Sequence, residues 1–153
     1  MDVIVEPAVA ADVPAIEALV REAYEPYVAR IGREPGPLLE DYAAVVVDGR
    51  ALVARRDGAV VGLLISSVQP DHVLVENVAV AASERGTGLG TRLLAIADEQ
   101  ARANGVGEVR LYTHEKMTEN LAYYPRRGFV ETDRRTENGF SRVFFTRVVP
   151  PEV

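Results

Sequence analysis

Apolar residues along this chain recur with two different periods, and each change of period marks an element. Val3-Ile4-Val5 predicts a short first strand, and Asp12 with Pro14 opens a helix whose apolar positions Ile16, Leu19, Val20 and Ala23 fall at helical spacing. That helix reaches to about Arg30. Ile31 to Pro37 holds two glycines and two prolines and predicts a loop, followed by a second helical segment from Leu38 to about Val47. A meander comes next: Ala51 to Arg55 and Ala59 to Val68 are apolar runs joined by the hairpin signal Arg56-Asp57-Gly58, and Gln69-Pro70-Asp71 turns the chain into a strand over Val73 to Val80. Beyond a glycine-rich stretch, a helix over Thr91 to Asn104 stops at Gly105, and Val109 to Thr113 forms another strand. A helix near Thr118 to Arg127 and a hairpin around Glu137-Asn138-Gly139 complete an α+β alternation without repeat, low-complexity segment or linker. Residues 1–153 are therefore expected to form a single domain.

The stretch from Val78 to Leu94 carries the first chemistry. An apolar strand runs through Gly86, Gly88 and Gly90 straight into a helix. Those glycines clear side chains from the backbone, and the opening amides of the helix lack intrahelical partners and share its positive dipole end. A phosphate-bearing ligand is implied. A nucleotide P-loop would end in Gly-Lys-Ser/Thr, but Gly90 is followed by Thr91 and Arg92. The dinucleotide fingerprint counted from Gly86 would need glycine where Thr91 stands, and an acid at the end of the second strand, whereas Glu108 opens the next one.

Read as Arg85-x-x-Gly88-x-Gly90, the loop instead resembles the pyrophosphate loop of the GNAT superfamily of acetyl-CoA-dependent N-acetyltransferases. A second segment, Asn120-Leu121-Ala122-Tyr123-Tyr124-Pro125-Arg126-Arg127-Gly128-Phe129, looks like the same family's Asn-and-Tyr helix ending in Gly-Phe. The resemblance covers nearly the whole chain and implies a GNAT fold with a mixed central sheet of about six or seven strands and about four helices. It implies acetyl-CoA as co-substrate. The backbone of Arg85, Gly86, Thr87, Gly88, Leu89 and Gly90, with the hydroxyl of Thr91, would hold the pyrophosphate. Val78, Ala79 and Val80 would bind the pantetheine as an added strand, one N–H polarising the thioester carbonyl, and Asn120 would meet the pantetheine or acetyl region. Tyr124 would protonate the departing thiolate, with Tyr123 as its neighbouring competitor. Asn120 and Tyr124, four residues apart, share a helix face. Pro125 departs from the family pattern: it removes the N–H that would bond the Leu121 carbonyl, which predicts a kink.

The implied reaction needs a base as well. A lysine-like amine has a pKa of about 10.4, so neutralising it at pH 7 costs roughly 4 to 5 kcal/mol. Glu76, the one carboxylate in the strand segment Leu74-Val75-Glu76-Asn77-Val78, is the candidate, with a solvent-facing strand residue as its plain alternative and His114 as another relay. Arg92, Arg126 and Arg127 are candidate phosphate cations, although helix-end cations also answer the dipole. Acceptor choice should lie in Tyr24 to Tyr42, where Tyr27, Arg30 and Arg33 are candidate substrate residues and an arginine would suit an acceptor carrying a carboxylate.

Composition narrows the setting. The chain has no cysteine, so no disulfide framework and no cysteine-bound acetyl intermediate, and its two histidines leave no metal expected. A net charge of -6 argues against nucleic acid, and no apolar run approaches the ~18 residues of a membrane span. A cytoplasmic location is expected, and the resemblance implies a homodimer. Two readings remain open: an N-acetyltransferase acting on a primary amine of a small molecule or peptide by direct attack in a ternary complex, or a non-catalytic acyl-CoA binding module of the same fold.

Overall fold

A computed structural model describes residues 2–150 and realises the expected alternation. In chain order the elements are β1 (Ile4–Pro7), α1 (Val13–Ile31), α2 (Tyr42–Val47), β2 (Ala51–Arg56), β3 (Ala59–Val68), β4 (Val73–Val80), α3 (Leu89–Ala103), β5 (Glu108–His114), α4 (Thr118–Arg126), β6 (Val130–Glu137) and β7 (Phe140–Val148). Single 3-10 turns stand at Ala10–Asp12, Gly36–Leu38 and Ala82–Glu84. The strands form a seven-stranded sheet in the order β1-β2-β3-β4-β5-β7-β6, mixed because β4 and β5 run parallel while β1·β2, β2·β3, β5·β7 and β6·β7 are antiparallel. Seven strands and four helices are what the resemblance implied.

Several boundaries differ from the sequence pattern by a few residues, and local contacts account for the starts of α2 and α3. The second helix begins at Tyr42 rather than Leu38, because the Asp41 carboxylate accepts from the Ala44 N–H at 3.2 Å and caps the helix there. α3 opens at Leu89, two residues early, because the Arg92 N–H bonds the Gly88 carbonyl at 3.0 Å and draws Leu89 and Gly90 into the first turn. α4 runs through Pro125 to Arg126. Pro125 stands in its last turn, where Arg127 already bonds the Tyr124 carbonyl at 2.9 Å, so the missing N–H interrupts nothing further along.

The chain divides into two compact units. The first comprises the chain up to Ser66 together with Asn77–Leu94. Its core joins Ile16, Leu19 and Val20 of α1 and Tyr42 and Val45 of α2 to Val53, Leu63, Ile65 and Ala79 on the strands. Fully buried aliphatics of this kind contribute roughly 1.5–3 kcal/mol each. Gly62 of β3 gives α3 its seat: a Cβ there would stand 3.1 Å from Ala54 Cβ and from Leu89 Cδ2, and 3.4 Å from Leu93 Cδ1.

The second unit comprises Ser67–Glu76 and the chain from Ala95 onward. Val109, Leu111, Val143 and Phe145 are buried in it, and Arg147 binds Asp98 at 2.8 Å while lying 4.5 Å from the Phe129 ring. β6 is exposed along nearly its whole length and carries the ion pairs Arg134–Glu131 and Arg135–Asp133, charges that discourage another strand from pairing there. In the same unit the β4·β5 register is Val73↔Val109 and Leu74↔Arg110, while β5 continues to His114.

Candidate active site

The first unit holds the glycine loop. Ala81 donates to the Val61 carbonyl at 2.8 Å as the chain leaves β4, and the Ala82 N–H is received by Glu22 of α1 at 3.0 Å. After the 3-10 turn, Gly86 and Gly88 take φ of 79° and 87°, the left-handed region that side chains resist. Between them the Thr87 hydroxyl and N–H both donate to the Glu84 carbonyl, at 2.6 and 3.2 Å, which closes the loop on itself. Arg92 donates to the Gly88 carbonyl at 3.0 Å, so the amides of Leu89 and Gly90 lie ahead of the first helical bond. Arg85 on this loop and Thr91 in the first turn of α3 are exposed, whereas the Arg92 guanidinium is engaged by the Val3 carbonyl at 2.8 Å.

The period of β4 sorts its residues cleanly. Val73, Val75, Asn77 and Ala79 are buried, and Leu74, Glu76, Val78 and Val80 are half-buried on the opposite face. Asn77 therefore points into the apolar side of the first unit, where a polar residue needs partners. It finds two tyrosines. The Tyr24 hydroxyl donates to Asn77 Oδ1 at 2.7 Å, Asn77 Nδ2 donates to the Tyr42 hydroxyl at 3.3 Å, and Tyr42 donates to the Pro37 carbonyl. This chain of bonds ties α1, α2 and the loop between them to β4. Burial, above all else, pushes the Tyr42 phenol well above the ordinary tyrosine range. Near the end of α1 the Arg30 guanidinium lies 5.0 Å from the centre of the Tyr27 ring, and Arg33 is exposed just beyond that helix.

The second unit holds the tyrosine pair. Tyr124 is buried, 8% exposed, with its ring 5.5 to 5.8 Å from those of Tyr123, Phe129 and Phe145. Tyr123 is half-buried under the Arg127 guanidinium at 4.5 Å. Asn120, on the same helix, donates to the buried Thr113 hydroxyl of β5 at 3.0 Å. Glu76 belongs to this unit, and its Oε2 is shielded from solvent. The His114 ring nitrogens face the backbone N–H groups of Lys116 and Ser141, at 3.0 and 3.3 Å, and burial lowers its pKa. Such a ring holds the β5–α4 turn in shape. Among the described residues no group of three potential ligands could hold a metal ion, and no helix is long and apolar enough to cross a membrane.

Asn77, Thr113 and Gly62 belong to no motif in the sequence. Asn77 was detectable as a polar residue on the face that alternation assigns to the core, and Gly62 as a lone glycine inside a strand. Thr113 is an ordinary strand threonine until Asn120 reaches it.

Comparison with known proteins agrees with this architecture. The family model described as "Acetyltransferase (GNAT) family" matches residues 16–129. An IAA acetyltransferase of Azospirillum brasilense is 32% identical over 121 residues, covering 78% of this chain and 76% of that protein. The PaiA N-acetyltransferase of Thermoplasma acidophilum, solved in complex with coenzyme A, superposes with a TM-score of 0.78 over 97% of this chain and 99% of its own, at 16% identity. The ribosomal-protein-S18-alanine N-acetyltransferase of Escherichia coli gives 0.76 over 99% and 97%, at 17% identity. At such identities the two structures speak for the fold alone.

Proposed function

Since the chain belongs to the acetyltransferase (GNAT) family, we propose that it moves an acetyl group from acetyl-CoA to a primary amine of a small molecule or peptide. The supporting observation is the run from Val78 to Thr91: a strand, a loop with Gly86 and Gly88 in left-handed conformation, and a helix whose first amides precede the Arg92–Gly88 bond. That arrangement suits two phosphates joined to an extended pantetheine. On this reading residues 1–153 act as one acetyltransferase domain.

The neutral amine attacks the thioester carbon, forming the C–N bond. Charge developing on the carbonyl oxygen is met by an N–H of the Val78–Val80 segment, and collapse breaks the C–S bond. Glu76 takes the proton that the amine loses, directly or through water, and Tyr124 gives its proton to the CoA thiolate. Transfer is direct, because the sequence contains no cysteine to carry the acetyl group.

The relatives' names point to different acceptors, so the acceptor is read from this chain. Tyr27, Arg30 and Arg33 on the α1 side suit an amine that also carries a carboxylate, such as an amino acid. Thiol release from acetyl-CoA across a panel of amino acids, peptides and polyamines tests both halves of the proposal. Acetylation of carboxylate-bearing amines is expected, and acetylation of polyamines alone would sink the acceptor assignment. Tight CoA binding with no amine acetylated would favour the non-catalytic binding module instead.

A further inference from the structure

The loop proposed to receive a pyrophosphate has a carboxylate built into its approach. Glu84 stands two residues ahead of Gly86, its side chain is only 5% exposed, and its own carbonyl is the acceptor on which Thr87 closes the loop. A bare carboxylate there would repel the ligand and pull the turn toward water. Instead Arg56, the last residue of β2, grips it with a fork: Nε to Oε2 at 2.7 Å and Nη2 to Oε1 at 2.9 Å. The fork holds the Glu84 carboxyl below the usual carboxylate range, so it stays charged and bound at neutral pH. Arg56 is itself fixed by the tight β2–β3 turn, whose Asp57 and Gly58 take φ of 51° and 82°.

We infer that Arg56 is a positioning residue for the acetyl donor, cancelling and clamping the Glu84 carboxylate so that the loop from Arg85 to Gly90 presents a net attractive field to the CoA phosphates. The inference rests on the reading that this loop takes the pyrophosphate. It differs from a purely structural ion pair in one respect: its effect must follow the phosphates of the ligand.

The full chain should be assayed as wild type, Arg56→Met, Glu84→Gln and the double variant, each with acetyl-CoA and with S-acetylpantetheine, which lacks the phosphates. Arg56→Met is expected to raise KM for acetyl-CoA and Kd for CoA by about tenfold, the loss falling on KM rather than kcat. The KM for S-acetylpantetheine stays within about twofold. Removing the carboxylate as well, in the double variant, should bring CoA affinity back to within about threefold of wild type, as charge cancellation requires. Equal losses with both donors, or no recovery in the double variant, would overturn the inference. Should Arg56→Met not fold, Glu84→Gln alone decides: unchanged or tighter CoA binding supports it, and weaker binding overturns it. A wild-type protein that binds CoA no better than pantetheine would instead overturn the underlying reading of the loop.

Discussion

Tyr124 is placed where packing and chemistry can be separated by one atom. Its ring is held by Phe129 and Phe145, and phenylalanine would keep those contacts. Tyr124→Phe should therefore lower kcat by about 100-fold, as loss of a general acid does, while the protein melts within a few degrees of wild type. Calorimetry beside thiol-release kinetics checks this, and an unchanged kcat would move the acid to another group. Glu76→Gln should lower kcat/KM at pH 7 by about 10- to 100-fold. The deficit should shrink as pH rises toward about 10, because the acceptor then arrives already deprotonated. A deficit constant across pH would remove Glu76 as proton acceptor. At this scale the sequence offers Tyr124 and Asn120 as candidates through the resemblance, and Glu76 as the one carboxylate of its strand segment. Asn77 was not singled out, although alternation places it on the buried face.

Helices and loops here are held by a few contacts that fix where they start. Asn77 binds the Tyr24 and Tyr42 hydroxyls, and Tyr42 in turn holds the Pro37 carbonyl of the α1–α2 loop. Tyr42→Phe removes that last bond and the acceptor of Asn77 Nδ2 together, while keeping the buried ring. It should cost about 1–3 kcal/mol of stability and raise KM for the amine several-fold, with KM for acetyl-CoA unmoved. A change in the acetyl-CoA KM instead would detach this chain of bonds from the acceptor side. Gly62→Val would press a branched side chain into Leu89 and Leu93, destabilising by about 1–3 kcal/mol and weakening CoA binding by displacing the start of α3. Titration calorimetry against CoA reads the second effect. The onsets of α2 and α3 lie a few residues from where the apolar period puts them, because the Asp41 cap and the Arg92–Gly88 bond set them.

For the whole molecule, buried carboxylates set the response to acid. Arg55 grips Asp12 with two bonds of 2.8 and 2.7 Å, and this fork, aided by the Val9 N–H and opposed by burial, lowers the Asp12 pKa. Glu84 is lowered likewise by Arg56. A carboxylate depressed in the folded state stabilises it fully above its unfolded pKa, and that contribution is lost as pH falls through the folded value. His114, lowered by burial, has the same sign from about pH 6.5 downward, because the unfolded chain binds that proton more readily. The melting temperature should thus slip modestly below about pH 6.5 and fall steeply below about pH 4. Asp12→Asn should melt lower at pH 7 and lose less on acidification, and an equally steep acid loss in that variant would assign the transition to other groups.

The order of elements, the glycines of the loop and the Asn120–Tyr124 helix follow from local sequence, because helix period, strand alternation and turn chemistry act between residues close along the chain. Folding in three dimensions is what brings Arg56 to Glu84, 28 residues away, and Tyr24 and Tyr42 to Asn77 across 53 and 35 residues. Pairings between residues so far apart leave no periodic trace in a single sequence. They arise when packing brings polar groups out of water and each must find the partner that burial demands.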